Sequence, residues 1–124
     1  ALARSNNPYF MNIGRKLGYE KISYYAKLLG YGELAGLNIP GEQPGIWPER
    51  EVSSGIGMMT SFGDGIHLTP LQLASQLVMI ANGGTMYYLQ YPRTQAEIET
   101  FVPQVKRKIA NIDGAIAEVK PGMQ

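Results

Sequence analysis

The sequence predicts an α+β domain that is mainly α, with a small β portion near its C-terminus. Three observations lead there. Apolar residues recur at helical spacing in two stretches before Gly30. A third apolar run opens on the helix-start signal Thr69-Pro70 and stops at Gly83-Gly84. Short β-rich runs occur only beyond that double glycine.

The first helix is expected to start at Asn7-Pro8. An Asn side chain accepts from free backbone N–H groups, and Pro in the first helical position removes no donor that the helix needs. Tyr9, Phe10, Ile13 and Leu17 follow at helical spacing, and Gly18 ends the run. A second helix is expected over Tyr19 to Leu29, with Ile22, Tyr25, Ala26 and Leu29 on one face and Gly30 just past its end. From Gly30 to Gly57 the chain is rich in Gly and Pro and shows neither period, which predicts a long connecting loop.

Thr69-Pro70-Leu71-Gln72 has the form of a capping box, in which the Thr hydroxyl and the Gln amide satisfy backbone donors reciprocally. The helix it opens runs to about Asn82. Leu71, Leu73, Ala74, Leu77, Val78, Ile80 and Ala81 leave it little polar surface, so it is expected to be central and buried. Strands are expected over Tyr87 to Tyr91 and Val105 to Ile109, and a short helix over Asp113 to Val119 before Pro121-Gly122.

Composition closes several functional classes. A chain of 124 residues with 44% hydrophobic content suits one domain with a modest core. A net charge of +1 gives no broad field for nucleic acid or an anionic membrane, and the basic cluster Val105 to Lys108 reads as the solvated end of a strand. The absence of cysteine excludes disulfides, zinc thiolates and thiol catalysis. The longest apolar stretch, LQLASQLVMIA, is about half a membrane span and contains two glutamines. With no initiator Met, the chain is expected to be an internal piece of a larger protein.

Isolated features read most simply as structure. His67 has no second His or Cys partner for a metal. Gly63-Asp64-Gly65 lacks the Lys and Ser/Thr of a phosphate loop and reads as a tight turn. Tyr24, Tyr25, Tyr31 and Trp47 read as packing rather than as a sugar platform. Glu42, Glu49 and Glu51 lie in the loop without a burial pattern that would shift a carboxyl pKa, which argues against a glycosidase pair. Taken alone, Ser5-Asn6-Asn7 reads as a helix cap.

Three longer segments together resemble one family, the transpeptidase domain of penicillin-binding proteins. ALARSNNPYF, residues 1 to 10, is similar to the segment around the family's S-x-N motif, here Ser5, Asn6 and Asn7. LNIPGE, residues 37 to 42, is similar to the family's T-G-I-D-L-P-G-E loop, with Ala35-Gly36 standing for the usual Thr-Gly. SFGDGIHLTPLQLASQLVMIANGGT, residues 61 to 85, resembles the family's G-x-G, V-T-P-L-Q-L-A and I-A-N-G-G run. TPLQLA followed by IANGG is the specific part; a three-residue S-x-N is common by chance. The resemblance covers about residues 1 to 90 well.

The resemblance implies serine acyl transfer, using S-x-x-K, S-x-N and K-T-G elements in chain order. A Lys takes the proton of the nucleophilic Ser; the S-x-N Ser relays to that Lys, and its Asn holds substrate amides. On that pattern Ser5 takes the relay role and Asn7 the amide-binding role. The departures are as informative. No Ser here has Lys three positions later: Ser23 precedes Lys27 by one residue too many, and Ser5 is followed by Pro8. Lys120-Pro121-Gly122 lacks the Thr of K-T-G, and Val119 to Met123 instead resembles the family's V-x-x-G-M segment that precedes it.

The expectation is therefore one incomplete domain over residues 1–124: a helical part over 1–85 and the start of a sheet over 86–124. The parent implied is a monofunctional, class B-like peptidoglycan D,D-transpeptidase at the extracytoplasmic face of the membrane, anchored outside this segment. Stem peptides ending in D-Ala-D-Ala would be its substrate, β-lactams its inhibitors and the cell-wall synthesis machinery its partner. No metal, organic cofactor or nucleic acid is implied. The isolated chain is expected to be inactive and to self-associate through apolar surface. Two rivals stay open: a serine β-lactamase or D,D-carboxypeptidase on the same fold, and a non-catalytic interaction module of the cell envelope.

Overall fold

The computed structural model of the chain describes residues 1–37, 39–48 and 60–123. A 3₁₀ turn, Leu2–Arg4, leads into α1, Asn7–Leu28. Gly18 interrupts this helix at φ 75°, ψ 164°, so the two expected helices are two arms meeting at a break. A residue with a Cβ would be strained in that conformation, which is why the joint falls on glycine.

The buried face of the second arm differs from the expected one. Tyr19, Ser23 and Ala26 are buried, while Tyr25 is 61% exposed. Ser23 is drawn inward because it accepts a hydrogen bond from the indole N–H of Trp47 at 3.0 Å. Trp47 in turn meets Tyr31 edge to face, with centroids 5.4 Å apart, as packing aromatics do. The hydroxyl of Tyr19 donates to the carbonyl of Pro48.

Among the described residues of 30–48 only Ile46 pairs as an extended residue, in an antiparallel bridge with His67. The remainder of the predicted loop, with Glu49 and Glu51, lies outside the described residues. Two side chains fasten the loop. Glu42 accepts from the backbone N–H groups of Gly36 at 2.9 Å and Leu37 at 3.1 Å. Gln72 donates to the carbonyls of Glu33 at 2.8 Å and Pro44 at 2.6 Å. Gly45 is required between them, because a Cβ there would collide with the carbonyl oxygen of His67.

Helix α2, Pro70–Ala81, has the predicted capping box: Gln72 N–H donates to Thr69 Oγ1 at 3.2 Å and Thr69 N–H to Gln72 Oε1 at 2.8 Å. Its predicted burial is corrected. The residues it buries are Gln72, Ser75, Gln76 and Met79, while Leu73, Leu77 and Val78 are 48%, 45% and 49% exposed. The polar face turns inward because Gln72 is needed to hold the loop.

Asn82 closes α2 and trades hydrogen bonds with Thr85, and the chain enters strand β1, Thr85–Tyr87. The strand begins two residues before the predicted Tyr87 to Tyr91 and shares only Tyr87 with it. It pairs antiparallel with β2, Val105–Lys108; the register shifts between Met86 and Tyr87, Tyr87 still pairs with Val105, and beyond it Tyr88 N–H donates to Gln104 O at 3.0 Å. Between the strands lies α3, Gln95–Glu99, absent from the prediction although its capping box, Thr94 with Glu97, is written in the sequence. Helix α4, Asp113–Val119, falls where predicted, and a 3₁₀ turn, Lys120–Gly122, follows. Met79 and Met86, 0% and 1% exposed, are the most deeply buried side chains and lock α2 to β1.

The basic cluster on β2 is not a solvated strand end. Arg107 donates to the carbonyls of Lys27 at 2.6 Å and Leu28 at 3.0 Å and pairs with Glu33 at 2.8 Å, while the Lys106 ammonium stands 3.1 Å from the other oxygen of Glu33. Arg107 thus satisfies the C-terminal carbonyls of α1, where positive charge is favoured, while Lys106 also donates to the carbonyl of Leu34 in the loop.

Candidate functional site

The site predicted at Ser5 and Asn7 is built from two successive turns. In the 3₁₀ turn Leu2–Arg4, Ser5 N–H donates to Leu2 O at 2.9 Å and Asn6 N–H to Ala1 O at 3.2 Å. Closing that turn puts Ser5 in the left-handed region, φ 45° and ψ 50°, which is unfavourable for a residue with a Cβ. Of the described non-glycine residues, only Ser5 and Asn111 have positive φ.

The helix cap corrects the expectation for Asn7. The N-cap is Asn6, whose Oδ1 accepts from Tyr9 N–H at 3.0 Å; Asn7 is the first helical residue and Pro8 the second. At φ −79°, ψ 89°, Asn6 directs its side-chain oxygen to the N–H of Tyr9, the residue after Pro8, which has no N–H to offer. NNP offers two possible caps, and only the backbone conformation chooses between them.

The three residues therefore divide their work. Asn6 gives its side-chain oxygen to the helix. The side chains of Ser5 and Asn7 are exposed and make no hydrogen bond within the described residues. They are left with a hydroxyl that can both donate and accept, and an amide that can pair with a peptide group.

Two further contacts hold this corner. Ser61 Oγ donates to Phe10 O at 2.8 Å, which ties the Gly63-Asp64-Gly65 turn to the first arm of α1; in that turn Gly63 N–H donates to Thr60 O at 3.1 Å. The C-terminal turn packs beside the N-terminal one, so that a Cβ on Gly122 would stand 3.0 Å from Leu2 Cβ. Lys120 reaches the carbonyl of Ala81 at the end of α2, 3.4 Å away. The stretch that resembles V-x-x-G-M thus returns to the segment that carries Ser5.

The other polar candidates serve the scaffold. His67 engages through its backbone, exchanging hydrogen bonds with Ile46 at 2.7 and 3.0 Å. Glu42 clamps its own loop. Trp47 is buried, whereas Tyr24 and Tyr25 form an exposed edge-to-face pair at 5.2 Å rather than core. Burial raises the pKa of Tyr31 above the ordinary tyrosine value, because the phenolate would lose solvation. Among the described residues no group of three His, Cys, Asp or Glu side chains is placed to hold a metal ion.

A family model described as the penicillin binding protein transpeptidase domain matches residues 1–124. Stage V sporulation protein D of Bacillus subtilis is 38% identical over 84 residues, covering 67% of this chain and 13% of that protein. The peptidoglycan D,D-transpeptidase MrdA of Acinetobacter baumannii is 27% identical over 95 residues, covering 68% and 14%. Pseudomonas aeruginosa PBP2, solved in complex with WCK 5153, superposes with a TM-score of 0.75 over 98% of this chain and 30% of that one, at 24% identity, a likeness of fold. Penicillin binding protein 3 of Mycobacterium tuberculosis, solved with aztreonam, superposes with a TM-score of 0.62 at 25% identity over 69% and 19%. The chain spans under a third of each of these relatives.

Proposed function

This chain belongs to the penicillin-binding protein transpeptidase family, and from that premise we propose that it is the Ser5–Asn7 wall of a peptidoglycan D,D-transpeptidase whose nucleophile lies elsewhere in the same domain. In the reaction, a serine hydroxyl from outside residues 1–124 attacks the penultimate carbonyl of a stem peptide ending in D-Ala-D-Ala. The D-Ala–D-Ala amide breaks, and D-Ala leaves with a proton. An acceptor amine then attacks the ester, forming the cross-link and returning the proton to the serine.

Ser5 relays that proton between the base and the departing amine, and Asn7 pairs with a backbone amide of the stem peptide. The observation that carries the reading is the division of labour: a strained Ser5 and a free Asn7 flank an Asn6 whose Oδ1 caps the helix. Strain of this kind persists where the surroundings enforce it, and such positions cluster at functional sites. β-Lactams inhibit by acylating the same nucleophile. The reaction takes place outside the cytoplasm, where peptidoglycan is cross-linked; no helix of the described residues is long and apolar enough to cross a membrane.

The test is intact-mass analysis of the full-length protein and of this chain after incubation with benzylpenicillin. A stoichiometric adduct on the full-length protein alone, mapped to a Ser outside residues 1–124, is expected. An adduct on neither sinks the proposal and leaves the interaction-module account. Product analysis with a stem peptide and an acceptor amine then separates transfer, which yields cross-linked dimer, from hydrolysis, which yields the free acid.

A further inference from the structure

We infer that Asn6 is the positioning residue of this wall, holding Ser5 and Asn7 in the arrangement their chemistry needs; the inference rests on the reading above. Asn6 anchors the wall at three points. Its N–H donates to Ala1 O at 3.2 Å, its carbonyl accepts from Phe10 N–H at 3.3 Å, and its Oδ1 accepts from Tyr9 N–H at 3.0 Å. The first closes the 3₁₀ turn that ends on Ser5, and the other two fix the first turn of α1, where Asn7 sits.

Ser5 needs that support. Its backbone is left-handed at φ 45°, a state that reverts unless both flanks are held. One flank is the Ser5 N–H bond to Leu2 O at 2.9 Å; the other is Asn6. The Oδ1 bond to Tyr9 is exposed, so water can replace it for Tyr9 N–H. Losing the bond therefore loosens the geometry of the turn more than it weakens the fold. This distinction makes positioning separable from stability.

The experiment is acylation of the full-length protein by a fluorescent penicillin, with the saturating rate and the half-saturating concentration measured separately, alongside thermal melts. Asn6→Ala is expected to lower the saturating rate by about tenfold, because misplacing groups beside the reacting atoms costs rate steeply. Asn6→Ser, which restores a capping oxygen without charge, is expected to return the rate to within about twofold of wild type. Thr94→Ala, which removes the corresponding cap from α3, is expected to leave the rate unchanged although it too lowers the melting temperature.

The inference is overturned if Asn6→Ala acylates at the wild-type rate, if Asn6→Ser is as slow as Asn6→Ala, or if Thr94→Ala slows acylation equally. Should Asn6→Ala not fold, Asn6→Gly takes its place, since glycine at a cap preserves most stability while lacking the oxygen. A wild-type protein that is not acylated at all is a different failure: it removes the transpeptidase reading, and the positioning role with it.

Discussion

The guanidinium of Arg107 on β2 meets the carboxylate of Glu33 at 2.8 Å while also donating to the carbonyls of Lys27 and Leu28 at 2.6 and 3.0 Å. One side chain thus joins the sheet, the end of α1 and the start of the loop. Two separate guanidinium nitrogens serve the carbonyls and the carboxylate at once, a spacing that the single nitrogen of an ammonium lacks. Arg107→Lys is expected to cost about 1–2 kcal/mol in denaturant unfolding. High salt should recover little of the difference, because two of the three partners are carbonyls. An unchanged midpoint would show that the fork is ornamental.

Ser5 stores strain, and strain at a working residue trades against stability. Ser5→Gly removes the Cβ that the left-handed backbone disfavours, so it is expected to stabilise the fold by about 1 kcal/mol. The same variant should acylate penicillin far more slowly in the full-length protein, since the relaying hydroxyl is gone. Melting temperature and acylation rate moving in opposite directions is the signature; a stability loss would mean that the hydroxyl is structural.

Gln72 presents its amide nitrogen to two carbonyls, those of Glu33 and Pro44. Gln72→Glu puts an acceptor where two acceptors already point, and is expected to cost about 2–3 kcal/mol at neutral pH. The introduced carboxyl keeps the bond from Thr69 N–H on one oxygen, but its other oxygen faces the two carbonyls, and that repulsion raises its pKa in the folded state. Its penalty is therefore small at acid pH, where it is protonated and can donate one bond, and grows as pH rises through the folded pKa. Unfolding midpoints measured against wild type at pH 4 and pH 7 should diverge in that direction.

Tyr31 follows the same sign. Burial raises its pKa above the ordinary value of 10.0, so the folded state holds the phenol proton more tightly than the unfolded state. Its contribution is intact below pH 10 and is lost as pH climbs from there toward the folded pKa. Tyr31→Phe is expected to lose less stability than wild type between neutral pH and pH 11. Parallel pH profiles for the two proteins would refute this account.

Ser23 and Trp47 form a buried side-chain pair at 3.0 Å. Ser23→Ala leaves the indole N–H without its acceptor and is expected to cost about 1–3 kcal/mol. In a double-mutant cycle with Trp47→Phe, the combined loss should fall short of the sum, since the first change already removes the bond.

Much of this could be read from residue order. The capping box at Thr69 and Gln72 and the stops at Gly18 and Gly83-Gly84 involve residues within a few positions of one another, so local chemistry decides them. Helix α3 has its capping box written in Thr94 and Glu97, but five residues give no apolar period to mark it as a helix. The tie between Asn6 and Asn7 as cap was not legible, since both are competent and the preceding turn decides.

The sequence by itself determined the helical segments other than α3, and the family, through short patterns whose physics is local. Only the tertiary structure decided which faces are buried. The apolar stripe of α2 predicted an inward-facing helix, yet Gln72 turns inward because the carbonyls of Glu33 and Pro44, 39 and 28 residues away, need its amide. Ser23 is buried for the same reason, by an indole 24 residues downstream. A partner that distant leaves no periodic trace in the chain. A buried donor without an acceptor nevertheless costs as much as a lost methyl group or more, and that cost sets the orientation of both helices.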